Sequence, residues 1–294
     1  MRRGLCQVRW LWAVGIFAAI SALVGLVEWR QLAHPLVSTN TRRYVSLSPA
    51  ITETLIALGV GAQLVGVSDY CHYPKQVETI SHVGSGFTPR YEAIVALAPT
   101  TVFVERVNAA NTESLARFVN VESMPWLTLD DVIRSTRRLG NIVGHGLASE
   151  QLAQAYESQL KSRVTVESPR VLLVMAHSPG ELKEIVFIRR NSIHGGVLEA
   201  AGARNAVGED ISGAPRMSLE QVIQQNPDGI VILQPATEVD VRLIDDWRRL
   251  SVLRAVQTNQ IRVIAAPEVA IPGPRLLELA KRLAPIAAAW KKSV

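Results

Sequence analysis

One short stretch of this 294-residue chain concentrates side chains able to hold a small molecule. Asp69, Tyr70, Cys71, His72 and Tyr73 stand together and are closed by Pro74. Tyrosine offers a flat apolar face with a hydroxyl at its end, and a histidine ring can ligate cobalt or iron. The stretch follows the apolar run QLVGVS, and in parallel sheets ligands settle at the carboxyl ends of strands. A packed turn closed by proline is the plain structural alternative. Phe87, Arg90 and Arg106 follow later runs of the same half. Arg189, Arg190, His194, Arg216 and Arg275 are the cationic candidates of the second half, suited to carboxylates on a ligand. Arg275 is favoured among them, because Pro272-Gly273-Pro274-Arg275 opens the last helix and helix starts attract anions.

Other chemistries find no pattern. His34, His72, His82, His145, His177 and His194 show none of the close pairings that a bare zinc or manganese ion needs. Gly59, Gly61 and Gly66 have the wrong spacing for a dinucleotide fingerprint and end a helix, where the fingerprint needs a preceding strand. Serine-hydrolase, nucleotide-binding and zinc-protease motifs are missing. No enzyme and no resident cofactor are expected.

The elements that would position these residues alternate. Short β-branched runs (YVSLS, QLVGVS, TTVFVE and MPWLTL, then RVLLVMA, GIVIL and IRVIAA) are separated by helical patterns. That alternation predicts α/β architecture with mostly parallel sheets covered on both faces. An internal repeat divides them. Glu92, Pro99 and Val102 recur 128 residues later as Glu220, Pro227 and Ile230, and LIALGVGAQLVG is echoed weakly by VLEAAGARNAVG. The repeat predicts two similar Rossmann-like lobes. Between them, residues 130–144 and 148–164 carry helical spacing, with Ser149 as an N-cap. The expected organisation is a first lobe over 43–145, one long backbone helix over 146–168 acting as a stiff strut, and a second lobe over 169–294.

Residues 1–30 differ from the rest. The uncharged run over 10–27 is just long enough to span a hydrocarbon core, and Arg2, Arg3 and Arg9 precede it. It reads as a signal anchor that places the body outside the cytoplasm, with a cleaved signal peptide as its rival. Residues 31–42 read as a linker. Arg2, Arg3, Arg9 and Arg30 against Glu28 give the first 30 residues +3 of the formal +5, leaving +2 for the remainder. No basic stripe follows residue 42, so nucleic acid is not an expected partner. The two cysteines, Cys6 and Cys71, lie on either side of the apolar run and form no disulfide framework.

Taken in order, several motifs resemble the ABC-type substrate-binding proteins for cobalamin and ferric siderophores. They are Val45-Ser46-Leu47-Ser48-Pro49 with Thr52-Glu53, Val65-Gly66-Val67-Ser68-Asp69-Tyr70-Cys71 with Tyr73-Pro74, Val83-Gly84, and Tyr91-Glu92-Ala93-Ile94 with Leu97 and Pro99. In the second half come Val197-Leu198-Glu199 with Gly202 and Asn205, Ser218-Leu219-Glu220 with Pro227, Trp247-Arg248-Arg249-Leu250, and the final Pro272-Gly273-Pro274-Arg275. The resemblance covers residues 43–290, and the tyrosine-proline turn and final motif are most similar to the cobalamin-binding branch. It implies a monomeric extracytoplasmic receptor, periplasmic in a two-membrane cell, that closes on a metal chelate between its lobes and delivers it to an ABC permease and its ATPase. A corrinoid is the favoured ligand. A siderophore or haem receptor is the alternative within the family, and an anchored ligand sensor or oxidoreductase the alternative outside it. Tyr70, Cys71, His72, Phe87, Arg90, Arg216 and Arg275 are the implied ligand contacts. Glu53 and Glu220 match the permease-docking carboxylates, which are expected to be exposed, one per lobe. Ser85, Gly86 and Ala214 depart from the family's aromatic lining and leave the branch open.

Overall fold

A computed structural model describes residues 42–106, 109–212 and 215–291. The body Arg42–Val294 is one compact unit. Its chain begins with strand β1 (Tyr44–Ser46), helix α1 (Pro49–Ala57), β2 (Leu64–Val67), β3 (Ser81–His82), α2 (Tyr91–Ala96), β4 (Thr101–Glu105), α3 (Ala109–Ala116) and β5 (Val121–Met124). These strands form a parallel sheet in the order β3-β2-β1-β4-β5. The expected strand MPWLTL contributes only Met124, because Pro125 has no N–H with which to continue a ladder.

A helical pair follows, α4 (Leu129–Val143) and α5 (Gly146–Gln159). In α4 the buried residues Val132, Ser135, Thr136, Leu139, Gly140 and Val143 recur at helical spacing on one face. Thr128 and Asp131 close a capping box at its start, and Gly144 ends it with φ 83°. The pair packs closely at Gly140, where a Cβ would overlap the Ser149 hydroxyl. Ser149 is therefore a packing residue inside α5, with its hydroxyl donating to Gly146 O at 2.9 Å, and not the expected cap. In place of one long strut over 146–168, two helices of 15 and 14 residues lie between the sheets, and the second stops at Gln159. Arg137 of α4 binds both Glu150 and Glu157 of α5.

The second half continues with β6 (Arg170–Met175), β7 (Ile185–Val186), α6 (Ile193–Ala200), β8 (Arg204–Asn205), β9 (Arg216–Met217), α7 (Leu219–Gln225), β10 (Gly229–Gln234), α8 (Arg242–Arg248), α9 (Arg254–Gln257), β11 (Ile261–Ala265) and α10 (Leu276–Ala289). β8-β6-β10-β11 form a parallel sheet, and β7 and β9 a small antiparallel ribbon. The order matches β2-β1-β4-β5 of the first sheet, strand for strand. Both parts of the repeat fall on equivalent elements, with Pro99 and Pro227 leading into β4 and β10.

Side chains alternate along each strand between two cores. Tyr44 and Phe103 of the first sheet and Val171, Leu173, Val231 and Leu233 of the second face a shared core, together with Leu139 and Tyr156 of the helical pair. Val45, Val102 and Val104 face outward into the first lobe's own core, and Leu172, Val174, Ile230 and Ile232 into the second's. Among the described residues no helix is long and apolar enough to cross a membrane, and the anchor expected over 10–27 lies outside them.

Candidate functional site

At the carboxyl ends of β1, β2 and β4, Leu47, Ser48, Ser68 and Glu105 line a cavity of about 140 Å³. Tyr70 and Phe87 stand at the same cavity and are 66% and 65% exposed. Phe87 rides on a tight loop. Gly84 turns at φ 89°, where a Cβ would overlap the Thr88 carbonyl, and the Ser85 hydroxyl accepts the N–H groups of Phe87 and Thr88 at 3.3 and 3.1 Å. Asn111 donates to the Phe87 carbonyl at 2.7 Å. The loop is thus fixed by polar bonds, while two large aromatic rings remain open to solvent beside a mainly apolar cavity that holds three serines and one carboxyl.

Glu105 is the one charged residue of that cavity. Its Oε1 accepts from the Ser48 hydroxyl, and the same Ser48 oxygen accepts the Ile51 N–H at 3.2 Å as the N-cap of α1. Burial pushes the Glu105 carboxyl above its usual range, with the Ser48 bond opposing. This residue was not singled out in the sequence. The available signal was an acid closing the otherwise apolar strand TVFVE.

The other candidates separate. His72 is exposed. Cys71 is turned inward, 1% exposed, with its thiol donating to Thr52 Oγ1 at 3.3 Å; burial pushes it up to about 11. A ligand contact was expected of Cys71, but its side chain fills a small core under Ile56 and Ile80. Arg90 binds Asp69 at 2.7 Å and the His82 carbonyl, which ties the two loops together. Arg216 pairs with Glu184 at 2.8 Å, Arg190 with Asp210 at 2.9 Å, and Arg189 donates to the Ile211 carbonyl. His194 bonds the Val269 carbonyl at 2.8 Å, and burial holds its pKa down, with that bond opposing. Arg106 is exposed.

Glu53 and Arg275 form the main departure from expectation. Glu53, expected as an exposed docking carboxylate, is 4% exposed. Arg275, expected at an anionic ligand, reaches across the seam between the two halves. Its Nε donates to Glu53 Oε2 at 2.9 Å, its Nη2 binds Glu53 Oε1, and its Nη1 binds Glu268 at 3.2 Å. Its guanidinium also stacks 4.0 Å above the Tyr73 ring. With both edges of the fork occupied, Arg275 has little left for a ligand. The seam is extended by the Trp126 indole, which donates to the Pro272 carbonyl at 2.9 Å. Gly273 permits the approach, since a Cβ there would stand 3.3 Å from Glu53 Oε2.

The first-lobe counterpart of Glu220 is Glu92. Each is the second residue of a helix, α7 and α2, each is exposed, and each belongs to the same unit of the repeat. The Ser218 hydroxyl beside Glu220 holds its carboxyl below the usual range. Beside Glu92, Tyr91, Val95, Ala96 and Phe118 line an apolar groove of about 420 Å³. Among the described residues no group of three or more His, Cys, Asp or Glu stands ready to hold a metal.

Two parallel sheets of matching strand order are tied by a helical pair, with a cavity at the strand ends of the first. The comparisons agree. A family model for periplasmic binding proteins matches residues 45–268, and the chain belongs to that family. It is 26% identical over 261 residues to an ABC transporter substrate-binding lipoprotein of Bacillus subtilis, covering 84% of this chain and 80% of that one. It is 27% identical over 203 residues to the vitamin B12-binding protein of Pectobacterium atrosepticum, covering 65% and 71%. Among solved structures, the periplasmic vitamin B12-binding protein of Vibrio cholerae superposes with a TM-score of 0.69 at 22% identity, covering 86% of this chain and 98% of that one. A periplasmic heme-binding protein from Pseudomonas aeruginosa superposes with a TM-score of 0.70 at 23% identity, covering 86% and 95%. These two show the fold.

Proposed function

We propose that the protein is the extracytoplasmic substrate-binding component of an ABC importer, a carrier rather than a catalyst, and that its cargo is a corrinoid. The observation that carries the cargo is the pair of exposed rings, Tyr70 and Phe87, set over a small, mainly apolar cavity at the strand ends. Flat exposed rings suit the face of a macrocycle, and a few polar groups in an apolar recess suit one of its side groups. Relatives named as vitamin B12-binding proteins support the same cargo. Haem and carboxylate siderophores would need free cations. Arg275 is buried against two carboxylates, so its release is costly, whereas the exposed pairs of Arg90 and Arg216 are weak.

Delivery to a permease is assigned to the face that carries Glu92 and Glu220. Two exposed carboxylates on equivalent helices set an orientation and steer encounter with a basic partner. Glu53 leaves that role because of its burial.

Calorimetric titration with cyanocobalamin, dicyanocobinamide, haem and ferric siderophores tests the cargo. One-to-one corrinoid binding with a dissociation constant below about 1 μM supports it. Binding of haem or a siderophore alone keeps the receptor and removes the corrinoid.

A further inference from the structure

The first-lobe cavity is too small for a whole ligand. Its volume of about 140 Å³ falls below the roughly 300–1,000 Å³ of pockets that enclose a small molecule. It fits one side group of a larger ligand lying across Tyr70 and Phe87. None of the residues lining it is cationic. Its polar side chains are Ser48, Ser68, Ser85, Tyr70 and Glu105. The Ser48 hydroxyl is committed to Glu105 and Ile51 and the Ser85 hydroxyl to Phe87 and Thr88, while Ser68 accepts the Tyr70 N–H and keeps its own proton. Glu105 bonds through Oε1, and no ion pair is formed by it among the described residues. Its second oxygen is the acceptor left to meet a ligand, beside the Ser68 proton and the Tyr70 hydroxyl.

Resting on the corrinoid reading above, we infer that Glu105 makes this cavity a seat for a neutral hydrogen-bonding side group, a primary amide on the ligand's rim, and excludes a carboxylate from the same place. An amide N–H donates to Glu105 Oε2 with no change in charge. A carboxylate would put two acids into one small cavity with no cation to compensate, and one of them would have to take up a proton or leave. Burial already disfavours the ionised form of Glu105, and a second negative charge adds to that strain. A glutamine at position 105 would donate to a carboxylate or to an amide carbonyl through its own amide, so E105Q removes the selection while keeping the shape.

The test uses two corrinoids without the nucleotide loop, dicyanocobinamide, which carries peripheral amides, and dicyanocobyrinic acid, which carries carboxylates. Both are titrated into the full-length wild type and into E105Q at pH 7.5 and followed by the corrin absorbance, with thermal unfolding as a check on folding. The wild type is expected to prefer the amide corrinoid by roughly tenfold or more, and E105Q to bring the two within about threefold, from the loss of one like-charge contact. A second variant, E105L, is expected to weaken the amide corrinoid itself by about fivefold to tenfold through a lost hydrogen bond. Equal affinity of the wild type for both probes, or a preference that E105Q leaves unchanged, overturns the assignment to Glu105 while the corrinoid reading stands. If the wild type binds neither corrinoid, the corrinoid reading fails and this inference fails with it.

Discussion

Glu53 and Arg275 stand 222 positions apart, yet they pair inside the molecule, Glu53 buried and Arg275 partly so. Removing one partner leaves an uncompensated charge inside the molecule, which costs about 3–5 kcal/mol. Arg275→Met is expected to lower stability by that amount in urea unfolding, and the double variant Glu53→Met/Arg275→Met by markedly less. A double variant as unstable as the single would mean that the cost lies in lost packing over Tyr73. Glu105 gives a pH signature. Its folded pKa lies above the ordinary 4.5, so the folded state binds the proton more tightly than the unfolded one. Its contribution to stability is therefore present below about pH 4.5 and lost as pH rises through the folded value. The wild type is expected to lose more stability than E105Q between pH 4.5 and pH 8; parallel profiles would show that Glu105 ionises freely. Neither arrangement could be read locally. An acid near a helix start looks the same whether it caps in solvent or is sealed by an arginine from the far end of the chain. An acid at a strand end usually marks the return to water, and only the Ser48 cap and the loop at 84–90 enclose this one. Tyr70 and Phe87 were readable, because a run of apolar residues says where its strand stops.

At the level of elements, the helical pair is the joint on which both sheets rest. Thr128→Ala removes one half of the α4 capping box and is expected to cost about 0.5–2 kcal/mol. Gly140→Val drives a side chain into the Ser149 hydroxyl and Cβ and is expected to cost about 1–3 kcal/mol. Both are read from chemical denaturation midpoints, and a neutral Gly140→Val would show that the pair can slide apart. Much of this level was written in the chain. The spacing of Val132, Ser135, Thr136, Leu139, Gly140 and Val143 is a helix face, and the two prolines at 99 and 227 mark equivalent strand starts. The single strut over 146–168 divides differently, because Gly144 turns the chain at φ 83° so that α5 packs back on α4, and α5 itself stops at Gln159. Periodicity reports a helix and its face, but not the direction the chain takes after a left-handed glycine.

Across the whole molecule, two lobes share one core that runs through the helical pair, and the Glu53–Arg275 seam adds a polar fastening. Large hinge motion would have to open both. Ligand addition is therefore expected to leave the radius of gyration nearly unchanged in solution scattering, and a clear compaction would show that the seam opens. Docking belongs to this scale too. Glu92→Arg and Glu220→Arg are each expected to slow uptake while leaving cargo affinity within about twofold, since rim charges act on encounter; a matching loss of cargo affinity would move these residues from the docking face to the cleft. The seam also bears on how the chain comes into being. The carboxylate buried in α1 is met by a guanidinium 222 positions later, so the first sheet cannot be sealed until Arg275 has been made. A chain that lacks the stretch at 272–276 holds an open, unfinished half, and the arrival of Arg275 decides when it shuts.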